Sequence, residues 1–233
     1  MKVGILGDIH GNADALNAVL NAASTVGVDQ WLNTGDMVGY YFAPERVMEM
    51  LRQLKCPSVR GNHEEMLCRS RDDPDYLLAV EAKYGSGVRV ALEQLSGQQL
   101  DAACGLPHPL SLEIDGLRIL LSHGAPWNID QYIYPDSAPD LIERFAPEGF
   151  DLLVTGHTHY PMVKTIGGAV LVNPGSVGQP RNRMPGAHWA VFDTIDRSVE
   201  LCRTPYDCSS LVLECRKRHP ELPYLADVLE RVL

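Results

Sequence analysis

The sequence predicts an α/β protein in which two β-sheets pack between helices as a layered sandwich. Three observations carry that prediction. Short apolar runs alternate with helical stripes over the first sixty residues, a βαβαβ pattern that calls for a parallel sheet. Paired strand patterns joined by turn residues follow in the second half, calling for more sheet. Aspartate, asparagine and histidine sit with glycine just past the predicted strands, the edge at which α/β sheets hold their sites.

Lys2 to Gly7 is an apolar run ending at Asp8 and reads as a buried first strand. Ala13 to Val26 carries Ala, Leu and Val at helical spacing. Gln30 to Thr34 reads as a second strand ending at Gly35-Asp36, and Pro44 starts a second helix running to Leu54. Pro57 to Arg60 reads as a brief third strand ending at Gly61-Asn62-His63. A helical stripe of Leu77, Val80, Tyr84, Val88, Ala91, Leu92 and Leu95 marks a helical insertion at about residues 64–109, either a rim of the site or a cover for one sheet face. Leu110 to Ile114 and Leu117 to Ser122 flank Asp115-Gly116 as a hairpin, and Met162 to Ile166 and Ala169 to Asn173 flank Gly167-Gly168 as another. Asp140 to Phe145 reads as a helix and Asp151 to Thr155 as a strand. His188 to Asp193 and Ser198 to Arg203 make the third hairpin, so the C-terminal third reads as an antiparallel meander. Leu222, Leu225, Val228, Leu229 and Val232 lie at helical spacing in a tail at about 206–233, read as a helix docked on its own domain. Residues 1–233 are read as one domain.

The chain is 45% hydrophobic, enough for a sizeable core, and no apolar run is long enough to span a bilayer. The N-terminal residues lack the core and cleavage site of a signal peptide and read as strand. A net charge of -10 argues against a duplex nucleic-acid partner. It leaves phosphate chemistry open, because bound cations reverse the local potential. The six cysteines form no C-x-x-C pair and read as reduced thiols in a cytoplasmic protein. Whether the chain forms a homo-oligomer stays open.

Five of the eight histidines fall in short clusters at strand ends: Asp8-Ile9-His10, Gly61-Asn62-His63-Glu64, Ser122-His123-Gly124 and Gly156-His157-Thr158-His159, with Gly35-Asp36 beside them. Two neighbouring divalent ions need this mixture of hard oxygens and imidazole nitrogens, with one carboxylate bridging ions about 3.5–4 Å apart. In Asp8-x-His10, alternate residues of an extended segment would face one side and reach one ion. His157-x-His159 could approach a common site or serve one ion each. Alone, Asp8 reads as a helix cap, Gly35-Asp36 as a turn and His123 as a core histidine. Together and in this order they read as a metal centre.

In that order the clusters resemble the signature of the calcineurin-like metallophosphoesterase superfamily: D-x-H, G-D, G-N-H-[DE], an isolated H, and G-H-x-H. The resemblance covers the chain to about Asp193. It implies a four-layer αββα sandwich of two mixed sheets flanked by helices. It also implies a hydrolase of phosphate esters that uses two divalent ions and a metal-bound hydroxide. Manganese is the first choice, with iron, zinc, nickel or cobalt as alternatives. Carried over by residue, Asp8, His10, His159 and Asp36 hold one ion, Asp36 bridges, and Asn62, His123 and His157 complete the other. His63 is the catalytic residue, as general acid or charge stabiliser. The GNHEEML and NPGSVGQPRN stretches resemble compact prokaryotic phosphodiesterases, which implies a small phosphoester substrate and no membrane partner. Gly39, Tyr40 and Tyr41 stand where Ser/Thr protein phosphatases carry Asp-Arg-Gly, which disfavours that reading and the related diadenosine-polyphosphate hydrolase. A non-catalytic scaffold on the same fold is disfavoured because every signature residue persists. Arg181 is the candidate for the missing phosphate charge. Asn12 either contacts substrate or caps the helix that follows it.

Overall fold

β1 (Lys2–Leu6) starts the chain, and a computed structural model describes residues 1–145 and 149–232. α1 (Ala13–Val26) returns it to β2 (Gln30–Asn33), which lies parallel to β1. Asn12 caps α1, accepting from the Ala15 N–H, and Gly27 ends it in the left-handed conformation. α2 (Pro44–Gln53) opens with proline at its first turn, where no N–H is required. Four helices follow: α3 (Asn62–Ser70), α4 (Pro74–Tyr84), α5 (Gly87–Gln94) and α6 (Gly97–Cys104). β3 (Leu110–Ile114) and β4 (Leu117–Leu121) form the first hairpin, turning at Asp115-Gly116 with φ of 53° and 76°. Beyond α7 (Pro139–Glu143) come β5 (Leu152–Val154) and the hairpin of β6 (Met162–Ile166) and β7 (Ala169–Asn173). The hairpin of β8 (Ala187–Asp193) and β9 (Val199–Thr204) leads to α8 (Ser209–Arg218) and α9 (Tyr224–Glu230).

The strands make two mixed sheets, ordered β2-β1-β8-β9 and β3-β4-β5-β7-β6. Val3, Ile5, Leu32 and Phe192 from the first pack against Ile119, Leu121, Val154 and Val172 from the second. The outer face of the first sheet, with Trp31, Trp189 and Val191, buries Leu16 and Val19 of α1 and shares its core with Leu67, Leu77, Val80, Val88 and Ala91 of α3–α5. On the second sheet's outer face, Leu120, Leu153 and Leu171 cover Ile142 of α7 and Phe145. Helix, sheet, sheet and helix are thus stacked as the four-layer sandwich. α8 and α9 dock on the loop after β2, where Val212, Leu225, Val228 and Leu229 pack with Tyr40, Tyr41 and Phe42.

Three expectations are corrected. Pro57 to Arg60 is not a strand: Val59 N–H donates to the Asn33 carbonyl in a single bridge, and Arg60 turns away to the Pro107 carbonyl. Proline lacks the N–H to extend the ladder. The C-terminal third is not a meander, because β5 pairs parallel to β4 and β7 while β8 crosses to lie antiparallel to β1. Nor are all cysteines thiols, since Cys68 at the end of α3 is bridged to Cys104 at the end of α6, with Cα atoms 5.6 Å apart. Packing of two helices brings these residues together across 36 positions, a juxtaposition that spacing does not reveal.

Candidate metal centre

The loops after β1, β2, β4, β5 and β7 meet at one edge of the sandwich. Asp8 N–H donates to the Gly35 carbonyl and His10 N–H to that of Asp36, which joins the first two loops. From the loop after β7, the Ser176 hydroxyl and the Gly178 N–H both donate to the Asp8 carbonyl. The His157 N–H reaches the Asp8 carboxylate at 3.1 Å.

Asp8, His10, Asp36, His157 and His159 all have left-handed backbone, with φ of 52°, 52°, 52°, 65° and 61°. Non-glycine residues adopt this region at a cost of about 1–3 kcal/mol each, and such strain gathers at functional sites. Asp8 and His10 therefore converge by a curled backbone, and not by the alternation of an extended segment.

Two groups of side chains result. In the first, Asp8, His10 and His159 each offer an atom within 4.8 Å of the others. His10 Nδ1 donates to the Val38 carbonyl and His159 Nδ1 to that of Gln179, so each Nε2 keeps its lone pair. Those two Nε2 atoms face one another at 3.1 Å. In the second group, His123 Nδ1 donates to the Thr34 carbonyl. Its Nε2 then faces Asn62 Oδ1 at 3.0 Å, His157 Nδ1 at 3.0 Å and Asp36 Oδ2 at 3.4 Å. Asp36 Oδ2 is also 3.7 Å from His10 Nε2, so this carboxylate lies between the groups. Of His157-x-His159, His159 lies in the first group and His157 in the second.

Lone pairs pointing at lone pairs repel unless a cation or proton lies between them. Burial pushes Asp8 up to about 6, opposed by His123 and Arg181, and holds Asp36 well above the usual carboxylate range, with Glu64 and Asp8 adding to the rise. Burial also lowers His123 and His157 to about 3 and takes His10 and His159 well below the ordinary histidine value. Imidazoles held neutral, three of them (His10, His123 and His159) oriented by a carbonyl on the far nitrogen and facing carboxylates, are what divalent ions require of their ligands. The residues fit two ions, and their mixed N/O character suits manganese, iron or zinc alike.

His63 is 3% exposed and stands over this array, its ring 4.7 Å from that of His10 and 4.7 Å from that of Tyr40. Gly39, at φ 87°, lies against His63 Nδ1, and a Cβ there would collide with it. A ring nitrogen of His63 lies within 4.8 Å of donor atoms of His10 and Asp36. Arg181 donates to the Tyr40 hydroxyl at 3.0 Å and to Gln179 Oε1 at 3.1 Å. Its charge reaches Asp8, which sets it beside the centre. Asn12 is spent on structure: its amide donates to the Gly178 carbonyl and the Tyr206 hydroxyl while its oxygen caps α1. Of the two roles open to it, the structure displays the cap.

Glu64 belongs to the site as well, although the sequence pattern gives it no role. Its buried carboxylate accepts from four backbone N–H groups, those of Asp36, Met37, Val38 and Gly61, fixing both loops that present Asp36 and Asn62. Its position after His63 in the G-N-H-E cluster was the available signal.

Residues 1–197 match the model of the calcineurin-like phosphoesterase superfamily domain. The chain belongs to this superfamily. It is a metallophosphoesterase, a hydrolase acting on phosphoester bonds. An uncharacterized protein of Methanocaldococcus jannaschii is 32% identical over 223 residues, covering 88% of each chain. The phosphodiesterase YfcE of Escherichia coli strain K12 is 27% identical over 199 residues, covering 81% of this chain and 85% of that one. Among solved structures, a metallophosphoesterase from Sphaerobacter thermophilus aligns over 97% of this chain and 98% of its own, with a TM-score of 0.78 and 28% identity. A hypothetical protein of Pyrococcus horikoshii OT3 shares the fold with a TM-score of 0.87 at 23% identity, over 99% and 98% of the two chains.

Proposed function

We propose that this metallophosphoesterase is a dinuclear phosphodiesterase acting on small organic phosphodiesters. The observation that carries the reading is the facing pair of unprotonated Nε2 atoms on His10 and His159, with His123 Nε2 facing His157 Nδ1 and Asn62 Oδ1 in the second group and the Asp36 carboxylate between the groups. The phosphodiesterase name of the Escherichia coli relative supports the ester class. Asp8, His10, Asp36 and His159 would hold one ion, and Asp36, Asn62, His123 and His157 the other. When bound, the ions supply Lewis-acid charge and lower the pKa of a coordinated water toward about 7.

The chain's own groups do the rest. Arg181, braced by Tyr40 and Gln179, aims a guanidinium at a non-bridging phosphoryl oxygen. His63 packs its Nδ1 on Gly39 and turns its other nitrogen to the site, where it donates to the leaving oxygen. Burial and the neighbouring imidazoles hold His63 neutral before substrate arrives, and the phosphate charge raises its proton affinity afterwards. Glu64 keeps the Asp36 and Asn62 loops in register throughout.

The test is a panel of a bis-aryl phosphodiester, an aryl monoester and a phosphopeptide, assayed on chelator-stripped protein with and without added manganese. The diester should turn over fastest, and only with metal. A phosphopeptide preference would replace the reading with a protein phosphatase. No metal-stimulated turnover of any ester would favour a scaffold.

A further inference from the structure

Around the candidate centre, tyrosines are distributed unevenly. Tyr40, Tyr84 and Tyr224 crowd the His63 side, where Tyr40 and Tyr84 meet its ring at 4.7 and 5.3 Å. On the opposite side, Tyr132 lies over the ring of His157 with centroids 4.2 Å apart. Tyr134 runs parallel to Tyr132 within 3°, at 5.6 Å, and is propped edge-on by Tyr160, the residue after His159. Both rings are thus registered to the His157–His159 segment that supplies the centre.

The backbone explains their presentation. Residues 131–134 carry no helix or strand, and Ile133 between the two tyrosines is 1% exposed, anchored in the core beneath the second sheet. On either side of it the rings of Tyr132 and Tyr134 lie parallel, 5.6 Å apart. Tyr132 remains 43% exposed although its ring lies directly on His157 of the second group. Arg181 donates to the side chain of Gln179, whose carbonyl holds His159, so a guanidinium belongs to the same centre. A large, rigid aromatic surface left open beside a cation that can grip phosphate suits a planar ring attached to that phosphate.

We propose that Tyr132 and Tyr134 form a stacking platform that selects phosphodiesters whose retained arm, opposite the leaving group at His63, is a planar aromatic such as a phenyl ring or a nucleobase. The proposal rests on the phosphodiesterase reading above. It deepens that reading by naming what the site takes beyond the phosphoryl group.

Two esters with a common leaving group separate the two claims: methyl 4-nitrophenyl phosphate and phenyl 4-nitrophenyl phosphate, assayed on the manganese-loaded full chain. Wild type should favour the phenyl ester roughly tenfold in kcat/KM, the scale of one aromatic stack. Tyr132→Leu should collapse that ratio toward unity, while Tyr132→Phe, which keeps the ring, should retain it. Tyr134→Leu serves the same purpose should Tyr132→Leu fail to fold, since its ring does not lie on His157. Turnover of both esters at equal rates, or a ratio that survives loss of both rings, overturns the platform and leaves the phosphodiesterase reading standing. Turnover of neither ester overturns both.

Discussion

Replacing Glu64 by glutamine tests whether one buried carboxylate holds the metal loops in place. Oε1 accepts from Met37 N–H at 2.8 Å and Val38 N–H at 3.2 Å, and Oε2 from Asp36 N–H and Gly61 N–H, each at 2.8 Å. Glutamine has one oxygen for these four donors, so its NH2 group must face two N–H groups. Each lost charge-assisted bond is worth about 1.5–3 kcal/mol, or about 3–6 kcal/mol for two. Part is regained, because burial already penalises the carboxylate and raises its pKa. A net loss near the lower bound, about 3 kcal/mol, lowers the melting temperature of a chain this size by about 6–12 °C. Calorimetry on chelator-treated Glu64→Gln and wild type measures this without the contribution of bound ions, and metal analysis of the reloaded proteins reports the loops. A Glu64→Gln protein melting within about 2 °C of wild type and carrying full metal would refute the reasoning.

Asp36→Asn should reduce bound metal to one equivalent or less and abolish most turnover. Two full-occupancy ions by elemental analysis would remove Asp36 from its bridging position. His63→Ala should lower kcat by about 10²–10⁴-fold while metal content holds, and equal losses of both would mark His63 as a ligand. Manganese binding should release protons at pH 6, because Asp8, with its pKa raised to about 6, is about half protonated there and the ion must displace that proton. Apparent affinity therefore rises with pH through that value. Titration calorimetry at pH 6 in two buffers of different ionisation enthalpy gives the proton count, and identical heats in both would contradict the assignment. Gly39→Ala should cost activity more than stability by displacing His63, and wild-type rates in that variant would separate the contact from catalysis.

Much of the fold was legible because its signals are local. Asp115-Gly116 and Gly167-Gly168 supply the left-handed pairs that tight hairpins need, and the hairpins form there. The crossover of β8 to β1 was not legible, because a strand pattern fixes which face is buried and not which neighbour it finds. At the centre, the ligand types and their order could be read, but their means of convergence could not. Left-handed backbone at five acidic and histidine positions follows from loop contacts across the fold. The carbonyls of Val38, Thr34 and Gln179 that orient His10, His123 and His159 are backbone groups, and no residue type announces them. Tyr132 and Tyr134 stand in an irregular loop with no local signature, legible only once His157 lies beneath Tyr132.

The pairing of first and late segments sets an order of events during synthesis. Asp8 emerges from the ribosome with the first strand, yet the Ser176 hydroxyl that fixes its carbonyl follows 168 residues later. At ordinary translation speeds that interval is roughly ten to thirty seconds. Until His157 and His159 follow, the nascent chain displays Asp8 and His10 without the imidazoles that complete the two ligand groups, so selective capture of cations must wait for the second half of the chain.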